Sequence, residues 1–335
     1  MKKVKFLFKQ QETYLALIVV LLALVVQSVN PAFLTYENLS AILKSYAMLG
    51  IMSVGVLFVL ILGGQPDVSF TAIAQVVEYV VVLACIRWGG NLFTAFLAAA
   101  VLGIAMGLVN GLAIHYFRVP TIVVTIATSN IYFGLLYVFS KGRLINEVPR
   151  MFIDFGHTLL FPATSAAGGV YGFSLMTVIW LATLLLAAVI LRWTSLGRNI
   201  YAMGGNEVAA ERVGINTLKT RLFVFGFVGF LSGIAAIVHV SIVTAVVPNI
   251  IVGKEMEVIA AVVVGGASLF GGRGTVIGTL LGVLLFAMLN NALTLLRLPS
   301  YWYNVAIGIV ITAAVTINAI QQNRQERARV RVLGA

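Results

Sequence analysis

The chain has 335 residues, of which 61% are hydrophobic and 10% charged, with a formal net charge of +11 and a mean hydropathy of +1.04. Such values lie outside soluble globular usage and describe a polytopic membrane protein. The basic excess does not read as a nucleic-acid surface, because Lys and Arg stand at the ends of apolar runs rather than in one patch with interleaved aromatics.

Lys2, Lys3, Lys5 and Lys9 precede the first apolar run, residues 14–29, which lacks a small-residue cleavage site and reads as a retained helix with a cytoplasmic N-terminus. Further runs near the ~20 residues that cross a bilayer lie at 41–62, 68–88, 93–117, 120–140, 175–192, 222–244, 256–271, 275–297 and 300–320. Ten crossings return the C-terminus to the cytoplasm. Its Arg324, Arg327, Arg329 and Arg331 then obey the positive-inside rule, as do fifteen of the 22 Lys and Arg overall. The lone Cys85 falls within a run and reads as a small buried hydrophobe.

Two places interrupt the apolar pattern: Gly63-Gly64-Gln65-Pro66-Asp67-Val68-Ser69-Phe70, and Gly265-Gly266-Ala267-Ser268-Leu269-Phe270-Gly271-Gly272-Arg273-Gly274. Irregular backbone at membrane depth is tolerated only where protein or a watery cavity satisfies its polar groups. Both breaks are therefore expected at the bundle interior or its cytoplasmic mouth, as gates. Pro66 fixes its own φ and pushes Gln65 away from helix, favouring an abrupt entry into the next segment.

Polar residues within apolar runs are costly, at least ~2.5 kcal/mol for a charge at mid-membrane, so each needs a reason. Gln75 and Glu78 share a helical face; they read either as a watery pathway able to bond the hydroxyls of a polar solute or, for Glu78, as a group paired or protonated between helices. Asp67 reads as a helix cap or a substrate contact, and Asn110, Asn290 and Asn291 as bridges between helices or as pathway lining. Gln65, Ser69 and Ser268 complete the expected path or gate.

Residues 141–174 form the longest external connection. Lys141, Arg143 and Arg150 make it a landing surface for a partner protein or, equally, a solvated loop. A short polar insert, Gly204 to Asn216, then stands between two spanning runs. Asn206 suits a helix cap, Glu207 the positive end of the dipole and Gly214 a left-handed stop. Ala209 and Ala210 are expected to leave one smooth face for docking a partner, and Glu211 lies on the same turn.

An internal echo links the two halves. Gly103 and Gly107, Asn110-Gly111 and Arg118-Val119-Pro120 recur as Gly278 and Gly282, Asn290-Asn291 and Arg297-Leu298-Pro299. Two halves of five spans must lie oppositely in the membrane, the inverted-repeat plan of many transporters, although glycines four apart also serve generic helix packing. The reading is all-α: about ten transmembrane helices in two inverted five-helix repeats with broken helices, one domain over 1–335, pseudo-repeats at 41–140 and 222–320, and a cytoplasmic segment at 193–221.

Enzyme signatures are missing. No phosphate loop follows any glycine-rich run, and His115, His157 and His239 are scattered without a zinc motif or a nucleophile signature.

Three ordered landmarks carry a resemblance: Gly63-Gly64 to Asp67-Val68-Ser69, Gly204-Gly205-Asn206 to Gly214-Ile215, and Ala260 through Gly274 followed by Gly278-Thr279-Leu280. Over nearly its whole length the chain resembles the membrane permease subunit of bacterial ATP-binding-cassette importers for monosaccharides. Where many relatives read Gly-Gly-Ile-Asp-Leu-Ser, this chain has Gln65-Pro66-Asp67-Val68-Ser69. The resemblance implies a bacterial cytoplasmic membrane, a second permease subunit, cytoplasmic ATPases that hold ATP and Mg, an extracytoplasmic binding protein, and no cofactor on this chain. It places a coupling helix at Asn206 to Gly214. Branched-chain amino acid or nucleoside permeases, and a secondary transporter, are the alternatives.

Overall fold

The computed structural model describes residues 10–164, 168–299, 301–313 and 316. The basic N-terminal residues and Arg324 to Arg331 lie outside that set. The first helices are α1 (Gln10–Val29), α2 (Tyr36–Ser45), α3 (Ala47–Gly63), α4 (Phe70–Trp88), α5 (Leu92–Phe117) and α6 (Thr121–Ser140). After α7 (Arg150–His157) come strands β1 (Leu159–Thr164) and β2 (Val170–Ser174), then α8 (Leu175–Trp193), α9 (Ser195–Gly205), α10 (Glu207–Arg212) and α11 (Thr217–Val243). The described chain ends with α12 (Glu255–Val264), α13 (Val276–Leu295) and α14 (Tyr301–Ala313).

The described residues form a helical, multi-pass bundle with one small β-hairpin. Seven of the described helices are long and apolar enough to cross a membrane, or eight when α2 and α3, bent by 50°, count as one span. The expected span at 256–271 is different: α12 has only 10 residues, because Gly265 to Thr275 leaves the helix. Of the run at 300–320, residues 301–313 form α14, and 300, 314, 315 and 317–320 lie outside the described residues.

Burial sorts the helices into centre and rim. From Ala47 to Leu62 every residue of α3 is buried, and 83% of the most apolar window of α11 is, against 11% for α6 and 17% for α1. A helix apolar all round belongs in a core or a bilayer, and here both occur. The α5–α11 seam depends on close approach. A methyl group on Gly103 would lie 2.1 Å from the Gly229 carbonyl, and one on Gly107 2.2 Å from that of Phe225.

The echoed glycines of α13 also press on carbonyls, but those of Gly265 and Ala261 beside α12, so the two sets meet non-corresponding neighbours. The helix ends match better. Arg118 and Arg297 both take left-handed backbone, at φ 52 and 56, each two residues ahead of a proline that opens the next helix.

The described residues of the 141–174 connection are folded onto the bundle. The hairpin pairs Leu159 with Ser174 in antiparallel register, and the Tyr36 hydroxyl accepts from the Phe173 amide at 3.0 Å. Lys44 Nζ donates to the Gly156 carbonyl at 2.8 Å. Lys141, Arg143 and Arg150 are exposed on this segment.

Candidate functional site

The polar insert is built by three caps. Thr194 accepts from the Gly197 amide at 3.1 Å to start α9, Asn206 Oδ1 from the Ala209 amide at 3.0 Å to start α10, and Asn216 Oδ1 from the Lys219 amide at 2.9 Å to start α11. Gly214, at φ 87, ends α10 as its spacing predicts. Glu207 pairs with Arg221 at 2.5 Å, and Arg221 also meets His115 Nδ1 at 3.1 Å, which ties the insert to the ends of α5 and α11.

The two alanines do not form one smooth face. Ala210 is buried while Ala209 and Glu211 are exposed, since adjacent helical residues point about 100° apart. The outward apolar surface consists instead of Val208, 59% exposed, and Val213, 78% exposed.

Both breaks meet the start of this insert. The Gly272 amide donates to the Ile61 carbonyl at 2.8 Å, one of the acceptors that the last turn of α3 leaves free. A methyl on Gly204 would stand 1.8 Å from that carbonyl and 2.5 Å from the Gly272 nitrogen. Gly64 and Gly271, at φ 70 and 86, are packed as tightly: a methyl on Gly64 would come 2.5 Å from the Gly271 nitrogen, and one on Gly271 2.6 Å from the Gly204 carbonyl oxygen. Ser268 closes its own turn, its amide donating to the Arg273 carbonyl at 3.0 Å.

Beside the junction is a polar cavity of about 540 Å³, lined among others by Gln65, His115, Arg118, Glu207, Glu211 and Arg221. Deeper in, Asp67 Oδ1 accepts from both the amide and the hydroxyl of Ser69 at 2.6 Å, and Asn110 Nδ2 donates to that hydroxyl oxygen at 2.7 Å. Asp67 thus braces the start of α4 from two residues away, a local side-chain turn. Asp67 Oδ2 and Asn110 Oδ1 are buried with no partner among the described residues.

Gln75 and Glu78 are both wholly buried. Gln75 Oε1 accepts from the Ile251 amide at 2.9 Å, and Glu78 Oε2 lies 2.7 Å from His239 Nδ1. On α13, Asn291 exchanges two amide hydrogen bonds of 2.9 Å with Asn38 of α2, and Asn290 reaches the Tyr46 hydroxyl.

A second cluster escaped the sequence reading. Glu257 Oε1 accepts from Tyr46 at 3.1 Å and from Tyr303, so one carboxylate joins the α2–α3 bend, α12 and α14. The signal was the pair Glu255 and Glu257 at the mouth of an apolar run. Among the described residues no three His, Cys, Asp or Glu side chains gather as a metal site.

Residues 38–315 match the family described as branched-chain amino acid transport system / permease component. The chain belongs to this family. The permease is 33% identical over 308 residues to the ribose import permease protein of Haemophilus influenzae, covering 91% of this chain and 92% of that one. It is 33% identical over 319 residues to the ribose import permease protein of Escherichia coli K12, covering 93% and 94%. To the autoinducer 2 import system permease protein of Yersinia pseudotuberculosis it is 30% identical over 331 residues, covering 96% and 90%. No solved structure matches the chain. It is a transport permease component and not an enzyme.

Proposed function

We propose that this permease is the membrane subunit of an ATP-binding-cassette importer for a sugar-like, polyhydroxylated molecule. The observation that carries the reading is the likeness to ribose and autoinducer 2 permeases over more than nine tenths of the chain. The buried polar groups fit an uncharged cargo, being mostly amides and hydroxyls, with Glu78 already engaged by His239 and Glu257 by two tyrosines.

Cytoplasmic ATPases, which hold the ATP and Mg, dock on Val208, Ala209 and Val213 of the coupling segment within residues 193–221. An extracytoplasmic binding protein lands on residues 141–174, and a second permease subunit completes the path. The single domain has ten spans in the inner membrane with both termini cytoplasmic, and 41–140 and 222–320 are inverted pseudo-repeats. The shared left-handed arginine ahead of a proline, at 118 and 297, supports the repeat. Gln65, Asp67, Ser69, Gln75, Glu78, Asn110, Ser268, Asn290 and Asn291 lie along the path or its gates. Rigid groups of helices rock around the breaks, so that access alternates.

A branched-chain amino acid is the second reading, favoured by the family's own description. Uptake into cells expressing the permease with its ATPase and binding protein, tested with labelled ribose, other pentoses, autoinducer 2 and leucine, separates the two. Saturable entry of a polyhydroxylated solute is expected; entry of leucine alone would overturn the sugar assignment.

A further inference from the structure

We propose that Gly64, Gly204 and Gly271 form one backbone junction through which movement of the coupling segment is handed directly to both breaks. The inference rests on the reading of α10 as the ATPase-facing lever. One residue, Asn206, separates Gly205 at the end of α9 from α10, so a displacement of α10 reaches Gly204 with almost no slack in the chain.

At Gly204 the displacement has nowhere to dissipate. Its α-carbon side faces the Ile61 carbonyl and the Gly272 amide so closely that a methyl would stand 1.8 and 2.5 Å away. Contacts between side chains can absorb motion by changing rotamer, but backbone against backbone cannot, and packed protein is scarcely compressible. Ile61 belongs to the last turn of α3, whose body is buried throughout, and the next residues, Gly63 and Gly64, open the first break. Gly271 and Gly272 belong to the second. The hydrogen bond from the Gly272 amide to the Ile61 carbonyl binds the two breaks to each other.

A second tether runs in parallel. The Tyr201 hydroxyl, one turn before Gly204 on α9, donates to the Gly274 carbonyl at 2.8 Å. With both links in place, α9 cannot shift without carrying the far end of the second break along. The neighbouring glycine supplies an internal contrast, because no atom of the described residues lies within 4 Å of a methyl placed on Gly205. Gly204, Gly64 and Gly271 are in this sense positioning residues: they touch no cargo, and act through the segments they hold.

The test is the number of ATP molecules hydrolysed per solute imported, measured in proteoliposomes holding the complete transporter with its binding protein. Gly204→Ala is expected to keep the ATPase attached and hydrolysing while raising that ratio at least tenfold, and Gly205→Ala to keep the unaltered ratio. Equal ratios for the two variants would overturn the junction. If Gly204→Ala does not assemble, Tyr201→Phe decides: a ratio raised at least twofold supports the proposal and an unchanged ratio overturns it. Import by the unaltered transporter without ATP would instead contradict the importer reading itself, which keeps the two failures distinct.

Discussion

His239 Nδ1 on α11 lies 2.7 Å from Glu78 Oε2 on α4, with the Glu78 side chain wholly buried and that of His239 nearly so. A carboxyl placed there without a partner would lose its hydration and gain nothing in return. The pair therefore accounts for a charge-bearing residue inside a span, and it couples one of the two most central helices to its neighbour.

Removing one member should cost far more than removing both. His239→Ala is expected to lower the stability of the detergent-solubilised permease by about 3–5 kcal/mol, the usual consequence of leaving half of a buried pair. Glu78→Leu combined with His239→Leu should recover most of that loss. Thermal melting of the two variants checks the order, and a double variant worse than His239→Ala would contradict it.

The Asn38–Asn291 exchange makes a narrower prediction. Either asparagine replaced by alanine should cost about 1–2 kcal/mol, and the double variant should be hardly worse than either single one. A double-mutant cycle in melting free energy is expected to return a coupling about as large as one single loss, about 1–2 kcal/mol. Additive losses would mean that the two amides act separately.

Much of this architecture could be read before any coordinates. Long apolar runs mark spans because a bilayer leaves a helix few alternatives, and Asn206 and Gly214 announce a cap and a stop through chemistry confined to their own turns. What stayed hidden depends on distant partners. Gly63-Gly64, Gly204-Gly205 and Gly271-Gly272 are alike as sequence, yet Gly64, Gly204 and Gly271 are pressed together while a methyl on Gly63 or Gly205 would meet none of the described residues, and no local rule tells them apart. Ala210 turned inward because a six-residue helix packs by its phase against the bundle, which composition does not state. His239 and Glu78 are 161 positions apart, and nothing in either local segment names the other.

The outward face of the segment proposed to couple to the ATPase should be separable from its inward face. Val213→Asp is expected to reduce recovery of the ATPase with the purified permease at least tenfold while leaving the permease folded. Ala210→Asp, placing a charge against the bundle, should reduce folded permease itself. Glu207→Gln should cost no more than about 1 kcal/mol, because the carboxylate is 48% exposed and such pairs are weak. Co-purification and size-exclusion profiles read all three, and equal behaviour of the 210 and 213 variants would contradict the assigned orientation.

Ser69 bridges Asp67 and Asn110, so Ser69→Ala strands the Asn110 donor and leaves Asp67 Oδ1 with the backbone amide of residue 69 alone. A loss of about 1–3 kcal/mol is expected. Ser69→Thr, which keeps the hydroxyl, should retain more of the stability than alanine does. Melting curves that rank threonine below alanine would show that space at this position matters more than the hydrogen bonds.

The central claim, that this chain is the conduit of an ATP-driven importer, is tested most directly by accumulation of labelled ribose in proteoliposomes. These hold the permease, its ATPase and its binding protein, with ATP placed on the ATPase side. The account predicts accumulation above the outside concentration that stops when ATP is withheld or when Val213→Asp releases the ATPase. Accumulation that persists without ATP, or that follows an imposed ion gradient, would contradict it.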